Sequence, residues 1–352
     1  MINYILRKSL YGIVVLFLVV LTISAIIYLS PVDPAQLTQG QRTDTQTIEA
    51  VQKEFGLDQP LWVQLGMYLR DISPLDVLYN NKNTKDKYVF LPLIPLGEGR
   101  YFSIKKPYLR TSYQTGERVS VMLSKAIPQT IVLATAAILL ACLIGIFLGV
   151  LAALRQNTWL DATAIVTSVM GYSLPSYVSA ILLALIFGYY LQAYTGLSVQ
   201  GSLFGIDDFG DEKIFWKNLI LPAIALGIRP VGIITQLTRS SMLDVLSQDY
   251  IRTAKAKGLS KAKIVFKHAL RNALNPVVTA VSGWLAALLA GAFFVENVFS
   301  YNGLGKMTVD ALLTRDIPVV LGAITFTAVL FVVINLLVDV LYTFLDPRVK
   351  LS

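Results

Sequence analysis

Six long apolar stretches restrict the fold of this chain more than any other feature of it. They are the run after Arg7 and Lys8, Ile127 to Leu154, a third from Trp159 to about Leu191 with Pro175 inside it, Asn218 to Leu237, Pro276 to about Val298, and Ile317 to Leu345. About 20 apolar residues in a helix cross the hydrocarbon core of a bilayer. Inside lipid each backbone N–H and C=O must be satisfied within the protein, which for single runs of this length means a helix. Composition agrees: 55% of the 352 residues are hydrophobic and 15% are charged, against about 25% charged in soluble domains. The expected fold class is all-α, a polytopic membrane helix bundle with six transmembrane helices and a long extracytoplasmic loop after the first.

Three divisions are expected. Residues 1–30 hold the first transmembrane helix; its run exceeds the apolar region of a signal peptide and has no clean small-x-small exit, so it reads as retained. Residues 31–125 turn polar, with no run able to cross a membrane. Within them Thr47 to Leu69 suggests short helices broken at Gly56 and Pro60, and 75–110 looks like an insertion with the pattern of a small hairpin. Tyr79, Tyr88, Phe90, Tyr101 and Tyr108 there either meet an external partner or form a small core of their own. Residues 126–352 make a five-helix core that includes a loop at 239–275. In this core Gly145 and Gly149, four apart, permit close helix contact. Pro175, between Ser173 and Ser176, should kink or break the third segment.

The formal net charge is +8. Its basic residues are scattered among apolar runs rather than gathered in an aromatic-rich domain, so they speak for membrane topology and against nucleic acid. Arg7 with Lys8, Arg155, the cluster between the fourth and fifth segments, and Arg348 with Lys350 all fall on one side. By the positive-inside rule that side is the cytoplasm, with both termini in it. The single cysteine, Cys142, excludes an intrachain disulfide and a thiolate metal cage. His268 has no acidic neighbours to help it hold a metal. No Walker A loop, GxGxxG, HExxH or GxSxG stands where chemistry would need it. The expectation is a chain with no catalytic residue, metal or cofactor, driven by energy from elsewhere.

The stretch built differently from its surroundings is Asp249 to Pro276, DYIRTAKAKGLSKAKIVFKHALRNALNP. Gly258 splits it into two helical halves. Before the glycine, Leu243, Leu246, Tyr250 and Ala254 recur at spacings of three and four and share one expected face. After it Ser260 can cap a second helix, with Ala262, Val265, Phe266, Ala269 and Ala273 on an apolar face and Lys263, Lys267 and Arg271 on a basic one. Such a knob could seat its apolar side on the bundle or in a partner's groove, or its charges merely hold the loop inside.

RTAKAKGLS followed by HALRNALNP resembles the EAA loop of ABC-transporter permeases, in particular the dipeptide, oligopeptide and nickel family and its B-type subunit. The likeness is carried by Tyr250, Arg252, Thr253, Ala254, Lys255, Ala256, Lys257 and Gly258, then by His268, Leu270, Arg271, Asn272 and Pro276. Arg252 stands where a glutamate is common, which looks like the peptide branch's own version. YILRKSLYGI, LDQPLWVQL, TSYQTGERVSVMLSKAIPQT, VENVFSYNGLG, RDIPVVLG and NLLVDVLYTFLDPR extend the resemblance over most of the chain. Asn302 departs from it, standing where a proline often precedes the glycine. The resemblance implies a bacterial inner-membrane import permease. A second permease subunit would complete its path, two cytoplasmic ATPase subunits would bind ATP and Mg and receive the loop from Tyr250 to Gly258, and an extracytoplasmic binding protein would deliver the substrate. Peptides, nickel chelates and other small solutes share this scaffold.

Polar side chains at membrane depth are further candidates, because charge in lipid needs a partner or a cavity. Glu296 and Arg229 are possible pathway-lining residues. Glu296 could equally pair with a neighbour, and Arg229 could anchor a kink at Pro230. Asn335 and Asp339, one turn apart, suit hydrogen bonding between helices. A secondary transporter, the alternative of a different class, would need ion-coupling acids at mid-membrane, which only Asp339 and Glu296 approach.

Overall fold

The computed structural model describes residues 2–28, 59–206 and 209–345, and they are mostly helical. In chain order the elements begin with α1 (Ile2–Tyr28), α2 (Leu61–Ile72), β1 (Leu75–Tyr79), α3 (Lys82–Lys87), β2 (Phe90–Gly97) and β3 (Arg100–Lys105). Next come α4 (Val119–Leu154), α5 (Trp159–Ser173), α6 (Ser176–Leu183) continuing as a π-helical stretch (Ala184–Tyr190), α7 (Gln192–Thr195), β4 (Phe204–Ile206) and β5 (Glu212–Ile214). Then follow α8 (Lys217–Leu246), α9 (Asp249–Ala256), α10 (Lys261–Lys263), a second π-helical stretch (Ile264–Ala269) and α11 (Leu270–Ala273). The chain closes with α12 (Asn275–Gly291), α13 (Phe293–Val298), α14 (Leu304–Leu313) and α15 (Ile317–Leu345). The expected helices at 47–58 and the tail from 346 lie outside the described residues.

Four helices, α1, α4, α8 and α15, are each long and apolar enough to cross a membrane, and two bent pairs bring the possible crossings to six. The third segment bends by 102° at Pro175, between α5 and α6, and a bend of 52° separates the end of the 249–276 loop from α12. Proline explains the first: its ring forbids a continuing helix, and Leu174 before it is pushed to extended backbone, ψ 128. The fourth segment is longer than its apolar pattern suggests, since α8 runs on to Leu246.

Contacts divide the chain into two compact units. One comprises Met1–Leu10, Ala126–Lys306 and Val329–Ser352, and the other Tyr11–Lys125 and Met307–Ala328. The first is organised around α8, and small residues are the reason. A Cβ at Gly145 would lie 2.7 Å from Ile234, one at Gly149 2.7 Å from the Thr235 carbonyl, and one at Gly227 3.0 Å from the Ala137 carbonyl. The four-residue glycine spacing thus lets α4 lie directly on α8. The core of this unit gathers Leu133, Ala137, Leu226, Leu288, Val295, Phe299 and Tyr301.

The second unit holds the 75–110 segment as a three-stranded antiparallel sheet of order β1-β3-β2. The expected hairpin is β2 and β3, turned at Glu98 and Gly99, both with positive φ. Its interior rests on charge as well as on aromatic rings. Lys105, with no exposed side-chain surface, donates to Asp76 at 2.9 Å and to the Arg70 carbonyl at 2.7 Å. Its ammonium also lies 4.2 Å from the Tyr88 ring centroid, and Tyr88 meets Tyr108 edge to face at 5.5 Å. Arg110 pairs with Asp71 at 3.0 Å, both buried. Burial pushes the Asp76 carboxyl up, but hydrogen bonds and charge from Lys105 and Arg70 outweigh it and hold the group below its ordinary range. Burial and the hydrogen bond to Asp71 push the Tyr88 phenol up. Tyr79, at the sheet's end, is 50% exposed.

Candidate functional site

The 249–276 loop begins where α8 stops. Gln248 is extended (φ −71, ψ 150), and α9 restarts the helix with Asp249 in its first turn, where an acid complements the helix dipole. This restart breaks the phase that joined Leu243 and Leu246 to Tyr250. Tyr250 therefore points outward, 43% exposed, and its hydroxyl accepts from Asn272 Nδ2 at 2.8 Å. Ile251, fully buried, takes the inward place with Ala254.

Gly258 ends α9 by a motif whose bonds are all present. Its φ is +74, the left-handed conformation that glycine adopts without a Cβ penalty. The Gly258 N–H donates to the Lys255 carbonyl at 3.0 Å and the Leu259 N–H to the Ala254 carbonyl at 3.3 Å. That pair is a Schellman cap, completed by apolar contact from Leu259. Ser260 then caps the next helix, its Oγ accepting from the Lys263 N–H at 3.4 Å.

The second half departs from a regular helix. Ile264–Ala269 is π-helical, and the wider turn brings residues five apart onto one side. Ile264, Val265, Ala269 and Ala273 face inward, whereas Phe266, expected among them, is 66% exposed and Ala262 is also outside. The inward residues of both halves close on Val150 and Ala153 of α4 and Met242 of α8 in one buried cluster. Outward stand Arg252, Thr253, Lys255, Ala256, Lys257, Lys263, Lys267 and Arg271. Among the described residues Arg252 has only an exposed ion pair with Asp249, at 3.3 Å. The structure thus brings the predicted loop residues onto one compact body, with Ala254 serving its inside. Phe266 and Leu270 also border an apolar groove along Leu143, Phe147 and Leu151 of α4, about 690 Å³ in volume.

Glu296 has no exposed surface. Thr130 Oγ1 donates to it at 2.7 Å, the Gly305 N–H at 2.7 Å and the Lys306 N–H at 3.0 Å. Thr130 in turn accepts from the Leu304 N–H at 2.8 Å. The carboxylate and the threonine together cap the first turn of α14, whose orphan donors need such acceptors. Gly303 and Gly305 make the approach possible: a Cβ on Gly303 would overlap the carboxylate, and one on Gly305 would lie 2.6 Å from Phe293 Cα. The VENVFSYNGLG motif is thereby a structural clasp.

Arg229 sits beside Pro230 in the middle of α8, half-buried, between Tyr172 and Trp284. Arg239, ten residues on, donates to Asp161 on α5 through Nη2 at 2.7 Å, an ion pair the sequence reading missed because the partners are 78 residues apart. Asn335 bonds its own helix, donating to the Phe331 carbonyl at 2.8 Å; the Asp339 side chain lies outside the described residues.

A helical chain with up to six apolar crossings and a braced basic loop has the build of a membrane transport subunit. Residues 145–351 match the family described as binding-protein-dependent transport system inner membrane component, and residues 1–84 match the N-terminal region of such components. The chain belongs to that family of ABC-transporter permeases. It is 36% identical over 348 residues to a putative peptide transport system permease protein of Brucella abortus (strain 2308), covering 98% of each chain. It is 38% identical over 309 residues to the dipeptide transport system permease protein DppB of Bacillus subtilis (strain 168), covering 87% of this chain and 86% of that one. Its fold is also that of a chain in the inward-facing MetNI methionine ABC transporter, with a TM-score of 0.50 and 16% identity over 64% of this chain and 97% of the other.

Proposed function

We propose that this chain is the permease subunit of an ATP-driven importer of di- or oligopeptides, set in the bacterial inner membrane with both termini in the cytoplasm. A second permease subunit completes the path, a binding protein delivers peptide from outside, and two cytoplasmic ATPases bind nucleotide and Mg. The chain itself hydrolyses nothing and holds no cofactor. The observation that carries this reading is the 249–276 loop. Its apolar side is fastened to α4 and α8, while its basic side stands clear of the bundle, the arrangement needed to receive movement from a partner and hand it on. The peptide names of the relatives support the cargo. In this reading the outward side chains between Tyr250 and Lys257 form the docking surface, Gly258 sets the turn, and ATP-driven closure of the two ATPases shifts the loop and exchanges inward for outward opening.

Gly258→Val tests it. A Cβ at Gly258 meets no atom within 4 Å, so the strain of the positive φ, about 1–2 kcal/mol, is the main expected effect. The assembled complex is expected to insert normally and keep hydrolysing ATP while uptake of labelled dipeptide is lost. Unchanged uptake in the variant, or no dipeptide uptake by the wild-type assembly, overturns the proposal.

A further inference from the structure

Arg229 makes no hydrogen bond or ion pair among the described residues, and its Nε is enclosed without an acceptor. It lies within α8, about 18 Å along the axis from Lys217 and about 25 Å from Leu246 at 1.5 Å per residue. A guanidinium at that depth is costly until a counter-charge reaches it. The same helix shows what satisfaction looks like, since Asp161 accepts from both Nε and Nη2 of Arg239.

Arg229 is given aromatic walls in place of an acid. Its guanidinium carbon is 5.5 Å from the Tyr172 ring on α5 and 5.9 Å from the Trp284 ring on α12. Ring faces attract a cation but leave its in-plane donors free. Arg229 is half-buried and only its Nε is enclosed, so the terminal pair of nitrogens is left for an incoming acceptor. A planar pair of N–H donors, steadied between rings and lacking an acceptor, matches a carboxylate.

We infer that Arg229, with Tyr172 and Trp284, forms a subsite for the C-terminal carboxylate of a peptide in transit. This rests on the peptide-import reading above. The C-terminal carboxylate is shared by every linear peptide whatever its side chains, so one fixed arginine serves cargo of many sequences. The single side chain grips the carboxylate without the full set of partners that would trap it.

The test compares uptake of Ala-Phe and its C-terminal amide by the complete assembly in proteoliposomes, each at a concentration that fills the binding protein. Arg229→Met is expected to lower uptake of the free acid about tenfold or more, the loss of one charge-assisted fork, and that of the amide by no more than about twofold. Arg229→Lys, which keeps the charge but not the fork, should fall between, and it carries the comparison if the methionine variant does not assemble. Parallel loss of both peptides, expected if Arg229 instead pairs with an acid of the second permease, overturns the inference, as does no change in either. Wild-type uptake of at least one peptide with such a result leaves the import reading standing; uptake of neither removes both.

Discussion

Replacing Glu296 separates a clasp from a pathway residue. Glu296→Ala takes the acceptor from three donors, Thr130 Oγ1, the Gly305 N–H and the Lys306 N–H. The first two are buried, and each buried group left unsatisfied costs about 1–3 kcal/mol. The Lys306 N–H is partly buried and recovers some of its loss from water. The expected destabilisation is therefore about 2–6 kcal/mol. Glu296→Gln should cost less. Its one carbonyl oxygen can still accept from both backbone donors, but its NH₂ group then faces Thr130, whose hydroxyl hydrogen loses its acceptor, about 1–3 kcal/mol. Thr130→Ser keeps every bond and removes one methyl, about 0.8 kcal/mol. Thermal unfolding of the purified complex in detergent, followed by loss of monodisperse material, should rank wild type and Thr130→Ser above Glu296→Gln, and that above Glu296→Ala. An alanine variant as stable as wild type but impaired in uptake would refute the clasp and return Glu296 to the path.

Two further predictions follow from packing and charge. Gly149→Ala puts a Cβ 2.7 Å from the Thr235 carbonyl and should destabilise by about 1–3 kcal/mol through overpacking, whereas Gly66→Ala, in open space on helix α2, should be neutral or stabilising by up to about 1 kcal/mol; equal melting of the two variants would count against the α4–α8 contact. Lys105→Met leaves buried Asp76 with only the more exposed Arg70 and should cost about 3 kcal/mol at neutral pH. Because the folded Asp76 has a depressed pKa, its contribution is fully present above the ordinary carboxylate value, about 3.9, and is lost as pH falls through the folded one. Protease resistance of the 75–110 segment should accordingly hold down to about pH 4 and decline below it, with a variant already sensitive at pH 7; resistance at pH 7 equal to wild type would disprove the pairing.

What the sequence discloses about this chain is what depends on near neighbours. Apolar length marks the segments, the Gly145 and Gly149 spacing marks the helix contact, Pro175 marks the sharp bend, and Gly258 marks a turn that needs positive φ. Two kinds of information stay hidden. One is phase: the restart at Gln248 and the π-helical stretch at Ile264 each shift which residues face inward, so Ile251 replaces Tyr250 and Phe266 leaves the apolar face. A regular 3.6-residue period contains no sign of either. The other is long-range pairing. Glu296 finds Thr130 at a separation of 166 residues, and Ser112 finds Asp316 at 204, distances over which spacing rules are silent. The sequence identifies Glu296 as a costly charge, and only the surrounding backbone shows that helix α14 is what it serves.

The buried cluster beneath the loop also has a mechanical meaning. Ile251, Ala254, Val265 and Ala269 are locked to Val150, Ala153 and Met242, and α4 and α8 are locked to each other through glycines that leave no slack. Loop, α4 and α8 are thus packed as one body. If an ATPase seats on the loop as proposed, a push there would pass up α8 towards Pro230, whose missing N–H removes one helical hydrogen bond beside Arg229.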